Sequence, residues 1–186
     1  MVPIQIGGRR ESDFTDPIGM LSDCHRRIER FLGTLIVVGR EAHGGPLNNE
    51  QRTALESGLR YFREAAPKHT ADEEESLFPR LRCIESPEAK AVLAQIDALE
   101  DDHDRADRSH REIERLGQRW LTEGQLTAEE AARFANRLAA LSDLYQRHIS
   151  LEDNVVFPSA KRLLASAETH AVGAEMAARR GVPTAG

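Results

Sequence analysis

Cysteine is scarce in this chain. Cys24 and Cys83 are its two thiols, in no C-x-x-C pair and at no zinc-ribbon spacing. Nothing in this spacing indicates a disulfide framework or a thiolate zinc site, and two buried or half-buried free thiols are expected, with oxidation of Cys24 beside His25 as the lesser alternative. Aromatic residues make up 5% of the sequence and β-branched runs are rare, which argues against sheet. No excess of basic charge exists: 25 Lys and Arg face 31 Asp and Glu, for a net charge of −6. No global positive field is present to hold nucleic acid or an anionic membrane. No apolar run approaches the ~20 residues of a membrane helix. The N-terminal residues MVPIQIGGRRESDFTD are too short and polar for a signal-peptide core, so a cytoplasmic protein is expected. What is abundant is Ala, Leu, Glu and Arg, all good helix formers.

The pattern predicts four long helices within one domain spanning residues 1–186. Residues 1–15 lack a period and read as an N-terminal arm. Asp16-Pro17 is a capping residue followed by proline at the first helical position. Ile18, Leu21, Ile28, Phe31, Leu32, Leu35 and Ile36 then recur at helical spacing until Gly44-Gly45-Pro46. A second helix runs from Asn48 or Asn49 to about Arg82, with a kink expected at Pro67, which lacks an amide donor. Ser86-Pro87 opens a third, reaching about Leu121. Thr127 and Glu130 form a capping box for a fourth, reaching about Leu164. A short fifth helix, about 167–180, precedes a GVPTAG tail. Long helices with short connections predict an all-α, up-down-up-down four-helix bundle over residues 16–166.

One motif occurs twice. HTADEEESLFP (69–79) and HISLEDNVVFP (148–158) both read H-x-x-x-E-x-x-x-x-F-P, 79 residues apart. His25 and His103 stand 78 residues apart, in SDCH and EDDH. The chain therefore looks like two helical hairpins, each contributing one His and one His/Glu pair. From His25 to the end of its helix is 18 residues, and from Asn48 to His69 is 21. The second hairpin repeats both counts. At about 1.5 Å per residue the two legs differ by less than one turn, so all six residues return to one level. His and Glu at i and i+4 are neighbours on a helix surface and reach a common ion. One such pair is a weak signal, being usually a surface contact. Six in register predict convergence on metal: His25, His69, Glu73, His103, His148 and Glu152. With both Glu bridging, each of two ions receives two imidazoles and two oxygens, leaving positions open for a small ligand. Imidazole with carboxylate suits iron, zinc or manganese. Phe78-Pro79 and Phe157-Pro158 are expected to pack at the bundle end and to bend or tighten the helix terminus.

On these residues the chain resembles the hemerythrin-like, or HHE cation-binding, family over about residues 17–165. The resemblance implies a non-haem di-iron centre with an oxo or hydroxo bridge. His25 and His69 would serve one iron and His103 and His148 the other, with Glu73 and Glu152 between them. It implies O2, H2O2 or NO as the small-molecule ligand. Oxygen-carrying members have a fifth His one turn after the third-helix His. Asp107 stands there in this chain, which argues against simple oxygen storage. Glu29 and Asp107, each one turn from a ligand, are candidates to accept a hydrogen bond from an imidazole, a solvated surface carboxylate being the commoner outcome at such positions. His110, about 10 Å along the helix from His103, is expected to be a core residue or to orient ligands. Tyr61 and Tyr145 flank the site in sequence. His43 and His170 are expected at the surface.

Four neutral imidazoles and two carboxylates favour ligand binding or peroxide turnover over attack on strong C–H bonds, so catalase- or peroxidase-like activity is a candidate. Two alternatives stand beside this. One is an iron or oxygen sensor that docks a protein partner through the arm or through Arg179-Arg180. The other is a zinc or manganese site without redox chemistry.

Overall fold

The computed structural model describes residues 11–183. The distal part of the arm (1–10) and the end of the tail (184–186) lie outside the described residues. Among the described residues there are helices and no strands.

Helix α1 (Pro17–Ala42) begins as expected: the Asp16 carboxylate accepts from the Gly19 amide at 3.0 Å, with Pro17 in the first turn. Its left-handed terminal residue is His43 (φ 48°), followed by Gly44 (φ 77°). Gly44 has no side chain because a Cβ there would lie 2.6 Å from that of Ala131. The second leg contains α2 (Asn49–Glu64), opened by an Asn48/Gln51 capping box, and α3 (Ala66–Ala71). The predicted interruption lies at Ala65, two residues before Pro67. A π-helical turn (Asp72–Leu77) and α4 (Phe78–Arg82) complete this leg. The third leg is α5 (Pro87–Glu123), capped by Ser86. The fourth is α6 (Ala128–Leu151), capped by Thr127 and Glu130, then a second π turn (Glu152–Val156) and α7 (Phe157–Leu163). Helix α8 (Ser166–Arg179) follows. Helix α1 packs on α2 and α6, and α5 packs on the same two, so each leg touches its two neighbours as an up-down-up-down bundle requires.

The two π turns have a common cause. Pro79 and Pro158 have no amide hydrogen, so the helical ladder cannot continue through them. The chain absorbs the defect by adding a residue to the preceding turn: the Phe78 amide donates to the Glu73 carbonyl and the Phe157 amide to the Glu152 carbonyl. The expectation that each Pro tightens the terminus is corrected, since the turn before it is widened. Each widened turn begins at, or one residue before, the Glu of the motif.

The core is in two parts. One, with Leu35, Leu59, Leu116, Trp120 and Phe134, fills one half of the bundle. The other, with Leu21, Leu77, Leu81, Ile96 and Met176, fills the opposite half. On α1 the boundary falls between Leu21 and Ile28, and on α5 between Leu99 and Ala106, so His25 and His103 lie in a polar layer dividing the core.

Helix α8 and the near part of the arm cover the second half. Gly173 lets the Phe14 carbonyl approach to 2.0 Å from where a Cβ would stand. The Ser12 amide donates to buried Asp23 at 2.6 Å. Arg179 and Arg180, the candidate docking surface of the sensor alternative, are engaged within the chain. Both turn inward onto Asp72, which is 0% exposed, at 2.9 Å from Arg179 and 2.6 Å from Arg180. Arg179 also donates to Ser76 Oγ at 2.8 Å. Cys24 is buried, as expected, whereas Cys83 is exposed, which corrects the expectation for that thiol.

Removing both guanidinium groups strands the Asp72 carboxylate. Arg179→Ala with Arg180→Ala is expected to cost about 3–5 kcal/mol in urea unfolding, the usual effect of breaking a buried ion pair. A loss below about 1 kcal/mol, within the range of surface ion pairs, would place Asp72 in contact with water.

Candidate metal centre

The polar layer contains all six residues of the repeated pattern. His25 comes from α1, His69 from α3, His103 from α5 and His148 from α6; Glu73 and Glu152 come from the two π turns. Both carboxylates are 0% exposed, and the four imidazoles are buried. The donor atoms form two groups, each within 4.8 Å: His25, His69, Glu73 and Glu152 in one, Glu73, His103, His148 and Glu152 in the other. The two Glu are common to both.

Separations within these groups are those of ligands around an ion. His25 Nε2 lies 3.0 Å from Glu152 Oε2, and His148 Nε2 lies 3.2 Å from the same oxygen. Glu73 divides its oxygens, with Oε1 3.4 Å from His69 Nε2 and Oε2 3.4 Å from His103 Nε2. Two donors at right angles, each about 2.1 Å from one ion, stand about 3.0 Å apart. His25 Nε2 and all four carboxylate oxygens are buried without a hydrogen bond of acceptable geometry. Such atoms are costly unless something between them accepts their lone pairs. A cation does so, and the donor set fits one or two of them.

Charge points the same way. Burial, and then the charge of Glu152, push the Glu73 carboxyl up to about 7. Burial acts upward on Glu152 too, but the His148 and His25 imidazoles, with Nε2 at 3.2 and 3.0 Å from one of its oxygens, hold it well below the ordinary carboxylate range. Burial opposes the charged form of His25, yet Asp153 and Glu152 prevail and raise it to about 10. For His103 burial is likewise overcome, by Glu73 and Glu74, with the same result of about 10. Burial holds His69 well below its ordinary value. The cluster draws positive charge into its centre.

The groups that orient the imidazoles are not the two candidates one turn from a ligand. Glu29 is exposed on α1. Asp107 is exposed and paired with Arg111 one turn on. Neither accepts from a ligand imidazole. Asp153 does so for His25, with Nδ1 to Oδ1 at 3.1 Å, and Glu74 for His103, with Nδ1 to Oε1 at 2.8 Å. Each follows the motif Glu directly, and each serves the imidazole of the other hairpin. The sequence carried this signal, because the residue after each motif Glu is acidic in both copies. The phenylalanines are also more than end packing. Phe157 stacks on His25 (centroids 5.3 Å, 11° between planes) and Phe78 lies parallel to His103 at 6.5 Å. They close the layer against the Met176 side of the core.

On the opposite side a cavity of about 230 Å³ reaches the four imidazoles. Phe62, Ala66, Ala106 and Ile149 line it, and Asp104 and Asp107 stand at its exposed edge. His110, half-buried and two turns beyond His103, lines its wall. Its Nε2 is 2.8 Å from the Tyr145 hydroxyl, and its ring stacks on Phe62 at 4.4 Å. Tyr145 meets the His148 ring edge-on at 6.3 Å. Tyr61 points its hydroxyl at the Cys24 carbonyl, at 3.5 Å, outside both donor groups. His43 and His170 are exposed, as expected.

Burial lowers the His110 pKa to about 4, against about 6.5 in an unfolded chain. Its neutral form therefore contributes stability above pH 6.5, and that contribution is lost as pH falls toward 4. Between pH 7 and pH 5 this amounts to about 2 kcal/mol. In urea melts at the two pH values His110→Gln is expected to lose about 2 kcal/mol less than the parent; an identical loss would show that His110 is protonated in the fold.

The model of the hemerythrin HHE cation binding domain matches residues 16–160. An uncharacterized protein of Haemophilus influenzae is 30% identical over 179 residues, spanning 91% of this chain and 92% of the relative. The matched segment contains both π turns, all four imidazoles and both central carboxylates. The chain belongs to the hemerythrin HHE cation-binding domain family.

Proposed function

We propose that the protein is a non-haem di-iron protein whose centre binds or reacts with a small oxidant or ligand. The observation that carries this reading is the sharing of Glu73 and Glu152 between two four-residue donor groups in one buried layer. His25 and His69 would hold one ion, His103 and His148 the other, and the two carboxylates both. When bound, two iron ions with an oxo or hydroxo bridge would supply open coordination positions and one-electron redox steps for O2, H2O2 or NO.

The chain's own residues supply the rest. Asp153 and Glu74 fix the ring orientation of His25 and His103, so that Nε2 of each faces the two central carboxylates. Phe157 and Phe78 exclude water from one side of the layer. The cavity on the other side admits a ligand past Asp104 and Asp107. Peroxide fits such a space more readily than a large substrate does, which supports catalase- or peroxidase-like turnover. His-rich coordination leaves the centre with positive charge, which suits ligand binding better than attack on strong C–H bonds.

Protein produced in iron-rich medium and purified without chelator is expected to contain two irons per chain and to consume added H2O2. Glu73→Ala is expected to lose at least half of that iron. Asp153→Ala is expected to weaken iron binding about 10–100-fold, as removal of a ligand-orienting group does. Stoichiometric zinc or manganese, or one iron per chain, would overturn the di-iron reading; full iron content without peroxide consumption would remove the enzymatic one.

A further inference from the structure

The sequence contains two tyrosines, and neither belongs to the donor groups of the metal centre. Both lie in one row of rings that starts at a ligand candidate. From His148 the row passes to Tyr145 at 6.3 Å between centroids and to His110 at 5.9 Å. It continues to Phe62 at 4.4 Å, Tyr61 at 5.3 Å and Phe31 at 4.3 Å. Tyr145 and Phe62 are buried, whereas Tyr61 and Phe31 are half-buried, so the row joins the polar layer to the surface. The single tryptophan stands apart from it. Trp120 is 17 residues beyond His103 on α5, about 25 Å along the axis.

The two tyrosines differ in what their hydroxyls meet. A phenol that loses an electron becomes a strong acid, and it leaves a positive charge in apolar surroundings unless its proton departs too. Tyr145 has a base in place, because its hydroxyl is 2.8 Å from His110 Nε2. Donation from the hydroxyl to Nε2 leaves one polar group, Nδ1–H, without a partner among the described residues. The reverse leaves two, the hydroxyl hydrogen and the Nδ1 lone pair. The hydroxyl therefore donates and Nε2 accepts. Burial lowers the His110 pKa to about 4, so at neutral pH its ring is uncharged and able to take a proton. Tyr61 has no such partner. Its hydroxyl points at the Cys24 carbonyl, at 3.5 Å, and a peptide oxygen does not hold a proton. The charges of Arg27 and Arg30 also act on Tyr61, and they oppose loss of an electron.

We propose that Tyr145 is a redox-active residue that gives one electron to the metal centre during reduction of hydrogen peroxide, while its proton passes to His110 Nε2. Two electrons and two protons turn one H2O2 into two waters. Tyr145 supplies one electron, an iron supplies the other and is itself oxidised by one unit, and both protons come from solvent. The Tyr145 O–H bond breaks and an Nε2–H bond forms on His110, which leaves a neutral phenoxyl radical beside an imidazolium. A small phenol arriving at the Tyr61 end returns the electron, and His110 returns the proton. A second equivalent restores the iron. The acceptor in this step rests on the di-iron reading; the hydrogen-bonded pair belongs to the chain alone.

The test begins with iron content. Protein with two irons per chain is mixed with H2O2 without reductant, freeze-quenched and read by electron paramagnetic resonance. An organic radical is expected, with hyperfine structure that collapses when the protein is made with ring-deuterated tyrosine. Tyr61→Phe should keep this signal, which then belongs to Tyr145, the remaining tyrosine. Tyr145→Phe should lose it. His110→Gln, which offers the hydroxyl an acceptor but no base, should lose most of it with iron content unchanged. A tyrosyl signal absent from two-iron parent protein, lost in Tyr61→Phe, surviving in Tyr145→Phe or undiminished in His110→Gln would overturn the proposal and leave the di-iron reading standing. Should the protein take up fewer than two irons, the metal-free chain is oxidised instead with photogenerated ruthenium(III) tris-bipyridine and the same variants are compared. A radical at Tyr145 then supports the redox pair while the di-iron reading falls; no radical at Tyr145 overturns both.

Discussion

Two carboxylates with no access to water sit at the centre of this bundle, and most of its architecture answers to them. A buried, ionised carboxylate costs several kcal/mol unless compensated. Glu73 and Glu152 are close enough to raise that cost by mutual repulsion. Four imidazoles surround them, one from each leg, and supply partial compensation through protons on His25 and His103. A metal cation supplies it more fully, because it accepts lone pairs from several directions at once. The layer therefore behaves as a receptor for positive charge, held rigid by an apolar core on either side.

The two hairpins are related by an approximate two-fold repeat, and the hydrogen bonds cross it. Asp153 of the second hairpin orients His25 of the first, and Glu74 of the first orients His103 of the second. Neither hairpin can build its half of the centre alone. The repeat is broken where α8 docks. Asp72 is matched in the second copy by Leu151, and only the first π turn is clamped by arginines from α8. The buried charge at Asp72 is thus a consequence of the fifth helix and not of the metal site, although it lies one residue from Glu73.

The layer has unlike sides. Phe78 and Phe157, placed by the same prolines that force the π turns, seal one. Small side chains at Ala66 and Ala106 leave space on the other, and His110 with Tyr145 closes its far end. Access, size and polarity around the centre are set on that side, by residues that donate nothing to an ion.

What was legible in the sequence was periodic or local. Capping residues Asp16, Asn48, Ser86 and Thr127 mark the helix starts because they bond to amides three residues away. Pro67 marks the break in the second leg for a similarly local reason. The convergence of His25, His69, Glu73, His103, His148 and Glu152 followed from counting residues up one helix and down the next, since helix rise is constant. Glu29 and Asp107 show that spacing of one turn places a residue near a ligand but not on its inner side; both are solvated surface carboxylates, the commoner outcome at such positions. Asp153 and Glu74 reach an imidazole on another helix, and that pairing depends on how the two hairpins are rotated against each other. The widened turns, the inward path of Arg179 and Arg180 and the cavity beside His110 are likewise properties of packing. Helix formation and register are settled by interactions within a few residues along the chain, so the sequence by itself determined them. Rotation, closure and empty space are settled by contacts between distant segments, so only the tertiary structure decided those.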